Sequence, residues 1–210
     1  MIKNKFILLL MCLGLVIALE SVYQHNDREP QVFSIHPRYA ADFSDDRVLV
    51  GASHNVFVGR VIEKMGATER GIGPETQFRI EVIENIKGEL KGTVIVNQQG
   101  GFKDGSLYII GATSDILTAD GKNSHLLEPG ATYLLATRFN KSEKWHTLNP
   151  YPTARKLIAS GDADPDDLGF LIGNDPRVKE LKDAYKNEIL LEADLKNSML
   201  NRCRFADREQ

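Results

Sequence analysis

The sequence predicts a mainly β protein with an α-helical C-terminal part. Segments rich in β-branched and aromatic residues recur between about residues 47 and 150, glycine-containing turns separate them, and a helical pattern follows. Five or six antiparallel strands in about a hundred residues are enough for a small closed barrel. The 210 residues, of which 42% are hydrophobic and 26% charged, have the composition of a globular protein, which excludes a wholly disordered or polytopic membrane chain.

The first 24 residues are predicted to be a signal peptide or a membrane anchor. Lys3 and Lys5 precede an uncharged, mostly apolar run from Phe6 to Leu19, which is shorter than the roughly 20 residues of a membrane-spanning helix. This length favours a cleavable signal, whereas an extension of the run to Gln24 would give an uncleaved anchor, and both interpretations stay open. Because the positive charges stay on the cytoplasmic side, the rest of the chain is expected outside the cytoplasm, secreted or attached to the membrane.

Residues 25 to 46 are polar and are predicted to be a spacer, part of which packs back through its aromatic residues. The barrel domain is predicted over residues 47 to 150. Its first strand runs from His54 to Glu63, and Thr76–Val82 alternates with period two, which sends every second side chain to one face. The segment Met65–Pro74 between them contains several glycines and is predicted to be a loop. The other predicted strands are Thr93–Asn97, Leu107–Ile110, Thr132–Arg138 and Lys144–Leu148.

Residues 151 to 210 are predicted to be a helical extension. A short helix is expected over Thr153–Ile158. Asp175 followed by Pro176 places a capping carboxylate and a proline at a helix start, and nothing interrupts a long helix from Pro176 to about Asn201. Apolar residues on one face of this helix are expected to be buried against the barrel or against a partner. They are Val178, Leu181, Tyr185 and Ile189.

The order of strands and turns resembles that of the netrin-like domains, the superfamily that includes the tissue inhibitors of metalloproteinases. Ser53–Val61 is similar to their opening strand, Thr76–Glu84 and Val94–Val96 to the next two, and Leu127–Leu135 to a later turn and strand. The resemblance spans Ser53–Leu148, about half the chain. It implies a five-stranded, partly open OB-type barrel with helices packed outside.

The cysteines depart from the pattern of those inhibitors. The inhibitors are similar to one another in several disulfides and in an N-terminal cysteine that chelates the protease zinc, whereas this chain has only Cys12 and Cys203. Because Cys12 belongs to the signal or anchor, the zinc-chelating role carries over to no residue, and an inhibitor would have to act through a loop. Cys203 is left as a single thiol, either free or linking two chains into a dimer.

Three aspartates, Asp162, Asp164 and Asp166, stand at the first, third and fifth positions of a calcium-type loop. The rest of that pattern fails, since Asp167 replaces the required glycine and Gly173 replaces the bidentate glutamate. We therefore expect a solvated acidic turn before a helix and keep the three aspartates as candidate metal ligands.

The five histidines show no spacing typical of a zinc site. His54 and His146 stand near the ends of predicted strands, where they can meet in space. The sequence also contains no nucleophile elbow and no Cys–His pair with family context. It therefore predicts no catalytic residue and no cofactor. The remaining histidines, expected on the surface, are His25, His36 and His125.

The leading hypothesis from the sequence is a non-enzymatic extracytoplasmic binding or interaction module whose partner is another envelope or extracellular protein. Its groove is expected between the barrel strands and the segments Met65–Pro74 and Gly100–Ser124. Two alternatives stay open, a protease inhibitor acting through a loop and an envelope hydrolase with an unrecognised site. The net charge of −3 and the predicted export argue against a nucleic-acid partner.

Overall fold

The computed structural model describes residues 31–70, 73–110, 126–161 and 163–192. Within these ranges the chain is mainly β, as predicted, with two sheets and a C-terminal helix. No helix in the described ranges is long and apolar enough to cross a membrane. The N-terminal signal or anchor and both cysteines lie outside the described residues, so those predictions stay predictions.

The first described element is a strand in the segment that is predicted to be a spacer. The strands are β1 (Val32–Ile35), β2 (Asn55–Arg70), β3 (Gly73–Lys87), β4 (Thr93–Gln99), β5 (Gly101–Lys103), β6 (Ser106–Ile110), β7 (Thr132–Asn140), β8 (Trp145–Leu148) and β9 (Arg155–Ala159). The helices are α1 (Asp46–Ala52), α2 (Pro165–Asn174) and α3 (Pro176–Lys186), with a 3₁₀ turn at Pro152–Ala154. Most predicted strands are therefore present, while α1, β1, β5 and β9 are additions.

The pairings of the larger sheet form a ring. Its strand order is β2-β3-β4-β8-β7-β9, and β2 also pairs with β7, so that β2, β3, β4, β8 and β7 each have two neighbours in the ring. The β4–β8 pairing, which we call the β4–β8 seam, is parallel and has only two register pairs among the described residues, Val96 with His146 and Asn97 with Thr147. The prediction that all strands are antiparallel is therefore wrong, because β4 and β8 run in the same direction.

The smaller sheet has the order β1-β6-β5, and its β1–β6 pair is also parallel. In it, Phe33 stacks on Tyr108 with ring centroids 5.1 Å apart. Tyr39, Phe43 and Tyr151 form a second aromatic cluster with centroids 5.2 to 6.1 Å apart. Part of the predicted spacer therefore packs on the domain, because its aromatic side chains find aromatic partners there.

Two apolar cores lie on opposite faces of β2 and β7. The strand core contains Phe57 of β2, whereas its neighbour Val58 belongs to the helix-side core, as the period-two geometry of a strand requires. Further residues of the strand core are Phe78, Ile80, Val96, Leu135 and Leu148. Further residues of the helix-side core are Leu49, Val50, Leu134, Leu168, Ile172, Val178 and Leu181.

The predicted long C-terminal helix begins as expected but ends early. Asp175 accepts hydrogen bonds from the backbone N–H groups of Arg177 and Val178, and the helix ends at Lys186 instead of continuing to Asn201. Beyond it the chain crosses α1, where the Ile189 N–H donates to the Arg47 carbonyl at 3.0 Å. The prediction of an uninterrupted helix is wrong because this tertiary contact overrides the local helical preference.

The predicted short helix over Thr153–Ile158 is also wrong. Only Pro152–Ala154 forms a 3₁₀ turn, and Arg155–Ala159 pairs with β7 as strand β9. The edge of β7 from Thr132 to Leu135 is available for this pairing, and backbone hydrogen bonds to it favour an extended chain.

Polar contacts hold α1, α3 and the segment after α3 together. The Arg177 guanidinium donates two hydrogen bonds of 2.6 Å to the Asp46 carboxylate. The Lys87 ammonium forms an ion pair with Glu188 and donates to the Val50 carbonyl at 2.8 Å. Lys87 belongs to β3, so these contacts connect α1 and the segment after α3 to each other and to β3.

Candidate functional site

The two segments expected to form a groove meet at the far end of β2 and β3. The prediction of a loop over Met65–Pro74 is wrong, because β2 and β3 continue as a paired hairpin as far as Arg70 and Gly73. Beside this hairpin lies β5, since Gly100 bridges to Glu75 and the Gly100 N–H donates to the Pro74 carbonyl at 2.8 Å. The groove expected between these segments stays a prediction, and residues 111 to 124 lie outside the described ranges.

Two bulges in β2 aim apolar side chains into solvent. The register with β3 shifts between Val61 and Glu63 and again between Lys64 and Gly66, which leaves Ile62 and Met65 as the extra residues. Ile62 and Met65 are both exposed. A bulge bends its strand and changes the direction of a side chain, and bulges are common beside functional sites.

An exposed aromatic residue adjoins these bulges. The Phe102 side chain of β5 is 51% exposed, and the Lys64 ammonium lies 5.9 Å from its ring centroid. We call Ile62, Lys64, Met65 and Phe102 the hairpin patch. Large apolar side chains that are exposed near one another are typical of interaction surfaces.

Ion pairs of both signs border the hairpin patch. Lys103 contacts Glu69 at 2.9 Å, which connects β5 to the hairpin, and Arg79 contacts Glu63 at 3.0 Å across β2 and β3. These pairs are largely exposed, so each is worth little in stability. An apolar centre with a charged rim is the usual composition of a protein interface.

Buried polar side chains fix the base of the hairpin. The Asn97 amide donates to the Glu75 carboxylate, and both residues are buried. The Thr76 hydroxyl donates to the Gly100 carbonyl at 2.8 Å, and a Cβ added at Gly101 would lie 2.4 Å from that hydroxyl oxygen. Sequence reasoning missed this group, and its one local signal was the run of polar residues that ends β4.

His54 and His146 come together at the opposite end of β2. The backbone N–H of Phe139 donates to His54 Nδ1 at 2.9 Å. His146 Nδ1 lies 3.4 Å from the amide nitrogen of Asn55, and its ring centroid is 5.0 Å from that of Phe139. The sequence-based expectation that these two histidines can meet is therefore supported by the strand register.

The hydrogen bond from the Phe139 backbone assigns a protonation state to His54. An Nδ1 that accepts a hydrogen bond carries no proton, so the neutral ring has its proton on Nε2. Burial lowers the pKa of His146, and the neighbouring His54 lowers it further. Among the residues that the structure describes, no group of three or more His, Cys, Asp or Glu side chains is arranged to hold a metal ion.

Of the three candidate calcium ligands, only the Asp164 side chain is described. Asp164 is exposed, and its carbonyl accepts the Leu168 N–H at 2.8 Å in the first turn of α2. Asp162 and the side chain of Asp166 lie outside the described residues, so calcium binding stays a prediction.

The hairpin patch and the histidine pair lie at opposite ends of β2. His54 immediately precedes the strand, whereas Ile62 and Met65 lie in the part that extends past its pairing with β7. The two sites are therefore separated by the length of the β2–β7 ladder.

No protein-family profile matches the chain, and no curated protein matches it.

Proposed function

We propose that this protein is a non-enzymatic extracytoplasmic binding module, secreted or attached to the membrane by its N-terminal segment. Its hairpin patch contacts another envelope or extracellular protein. The observation that carries this proposal is the pair of bulges that expose Ile62 and Met65 before and after Lys64, whose ammonium lies over the exposed ring of Phe102. Exposing three large apolar side chains on β2 and the adjacent β5 sacrifices burial energy, which binding to a partner recovers.

The proposed fold is the OB-type barrel that the netrin-like resemblance implies. The ring of pairings through β2, β3, β4, β8 and β7 supports this proposal, and so does the position of the helices against the outer faces of β2 and β7. In such barrels the strands supply a rigid frame and the elements at the barrel ends contact the ligand.

A protease inhibitor that acts through the hairpin is the second candidate. The observation that favours it is the length of the hairpin: β2 pairs with β7 only over Asn55–Arg60, whereas its pairing with β3 continues to Arg70. A projecting two-stranded element of this kind is able to enter a cleft in a partner. This candidate requires that a hydrolytic activity of the partner falls when the hairpin binds.

Single substitutions in the hairpin patch are expected to remove partner binding. A photo-crosslinking residue at Thr68 on the full chain in intact membranes would capture the partner, and Phe102→Ser would be introduced into that chain. Since a central aromatic contact is commonly worth about 2 kcal/mol or more, capture should fall by at least roughly thirtyfold. Because Phe102 is half exposed, the folded state should be almost unaffected.

Phe170→Ser is the matched control, because Phe170 is also phenylalanine, is 70% exposed and belongs to α2 instead of the patch. Capture by this variant should equal that of the unmodified chain. If Phe102→Ser captures the same partner with the same yield as Phe170→Ser, the hairpin patch is not the binding surface. Measuring the partner's hydrolytic activity with and without the chain separates the inhibitor from a simple binding module.

A further inference from the structure

The β4–β8 seam is the shortest pairing in the ring, and a histidine lies in it. His146 is one of the two β8 residues in register with β4 and is 6% exposed. Val96, its partner across the seam, is fully buried in the strand core. Any loss of the seam therefore opens the strand core to water at this point.

We propose that His146 is an acid-sensitive latch on the β4–β8 seam, so that protonation of its ring releases β8 from β4 and opens the strand core. The proposal concerns a conformational device and is independent of which partner the hairpin patch binds.

The surroundings of His146 favour its neutral ring in the closed form. The ring is buried, which penalises the charged form, and its Nδ1 lies 3.4 Å from the neutral side-chain amide of Asn55. A Cβ added at Gly88 would lie 2.2 Å from the Asn55 Oδ1, so this amide packs closely against that glycine. On the other side the ring packs against Phe139, which offers no acceptor side chain.

Neighbouring elements bring several ionisable groups to this end of the strands. His54 is the ionisable group that acts on His146, and its effect lowers the pKa of His146. Arg138 of β7 is turned towards the Ala52 carbonyl, to which it donates. Lys87 at the end of β3 is held by Glu188 and the Val50 carbonyl. The other charged residues of the adjoining turns, all exposed, are Glu89, Lys91, Lys141, Glu143 and Lys144.

The sign of the effect follows from linkage. His146 binds a proton less readily in the closed form than in the open form, where it has the ordinary pKa of about 6.5. The open form binds more protons, so it gains population as the pH falls below about 6.5. The gain approaches tenfold per pH unit until the pKa of the closed form is reached.

Amide hydrogen exchange on the full chain, measured residue by residue by NMR, tests the latch. After correction for intrinsic exchange rates, protection of the amides that point across the seam, one from Val96 and Asn97 and one from His146 and Thr147, should fall by up to about fivefold between pH 6.5 and 5.5. Protection at Phe78 and Ile80, in the β3 pairings with β2 and β4, should change much less. Seam protection that is independent of pH, or that falls equally in all strands, would overturn the proposal.

His146→Asn supplies the decisive comparison, because an asparagine oxygen accepts the Asn55 hydrogen bond without titrating in this range. The acid response of the seam should disappear in this variant. It should persist in the matched control His36→Asn, because His36 is exposed and lies directly after β1, outside the seam. If the acid response of the seam persists in His146→Asn, His146 is not the latch and the proposal is wrong.

A second measurement avoids the risk that His146→Asn does not fold. In the unmodified chain at pH 6.0, the ring nitrogen shifts of His146 should report a neutral ring. A His146 ring that is charged at pH 6.0 while the seam amides stay protected contradicts the proposal without any variant.

Discussion

Gly51→Ala is expected to lower the free energy of unfolding by about 3 kcal/mol, the upper part of the usual range for overpacking. A Cβ added at Gly51 would lie 2.0 Å from the Ile189 carbonyl oxygen and 2.5 Å from its carbonyl carbon. The atoms that this Cβ would meet all belong to the Ile189 backbone, so there is no flexible side chain that could move aside. The segment after α3 would have to leave α1, which breaks the hydrogen bond between Ile189 and Arg47. Urea unfolding followed by circular dichroism measures the loss.

Gly173→Ala is the matched control for this prediction. Gly173 also lies in a helix, and a Cβ added there meets nothing within 4 Å. Alanine has a higher helix propensity than glycine, so this variant should be more stable by roughly 0.5 to 1 kcal/mol. If Gly51→Ala and Gly173→Ala stabilise the protein equally, the segment after α3 does not lie on α1.

A chain that ends at Asn174 is expected to lose cooperative folding altogether. It lacks Val178, Leu181 and Ala184, the buried residues of α3. Each large apolar side chain contributes about 1.5 to 3 kcal/mol by burial, and their removal also exposes the part of the helix-side core that they cover. Against a total stability of about 5 to 15 kcal/mol, the combined loss is decisive. Thermal unfolding followed by circular dichroism should show no cooperative transition.

Two point substitutions test whether the buried face of α3 stabilises the fold or whether any change in this helix destabilises it. Leu181→Ala should cost about 2 to 5 kcal/mol because it leaves a cavity. Lys179→Ala, on the exposed face of the same helix, should be within about 0.5 kcal/mol of the unmodified protein. A shortened chain that unfolds as cooperatively as the full protein would mean that α3 is not a brace, and loss of the partner by this folded chain would mean that α3 recruits it.

The parts of the fold that the sequence predicts are those whose signals are local. The alternation over Thr76–Val82 predicts a strand that buries Phe78 and Ile80, and both lie in the strand core. Asp175 and Pro176 predict the start of α3 correctly. In contrast, the apolar run of α1 has no clear helical period, and this helix depends on its Asp45 cap and on the burial of Leu49–Ala52 against other elements.

The candidate sites were predicted less completely because they depend on contacts between distant residues. The meeting of His54 with His146 requires the registers of β2 with β7 and of β7 with β8, neither of which is encoded locally. Exposure of Ile62 and Met65 depends on bulges, which shift the strand register by one residue and so change which side chains face solvent. Gly66, which follows Met65, is compatible with a bulge, but a glycine at this position is equally compatible with a loop.

The hydrogen bond between Ile189 and Arg47 joins residues that are 142 positions apart (189 − 47). During synthesis, residues near Arg47 emerge long before Ile189, so the helix-side core stays incomplete until almost the whole described chain has been made. Contacts at such sequence separation form late and slow the folding of the domain. For the proposed export in an unfolded state, this delay keeps the strands unpaired until α3 has left the ribosome.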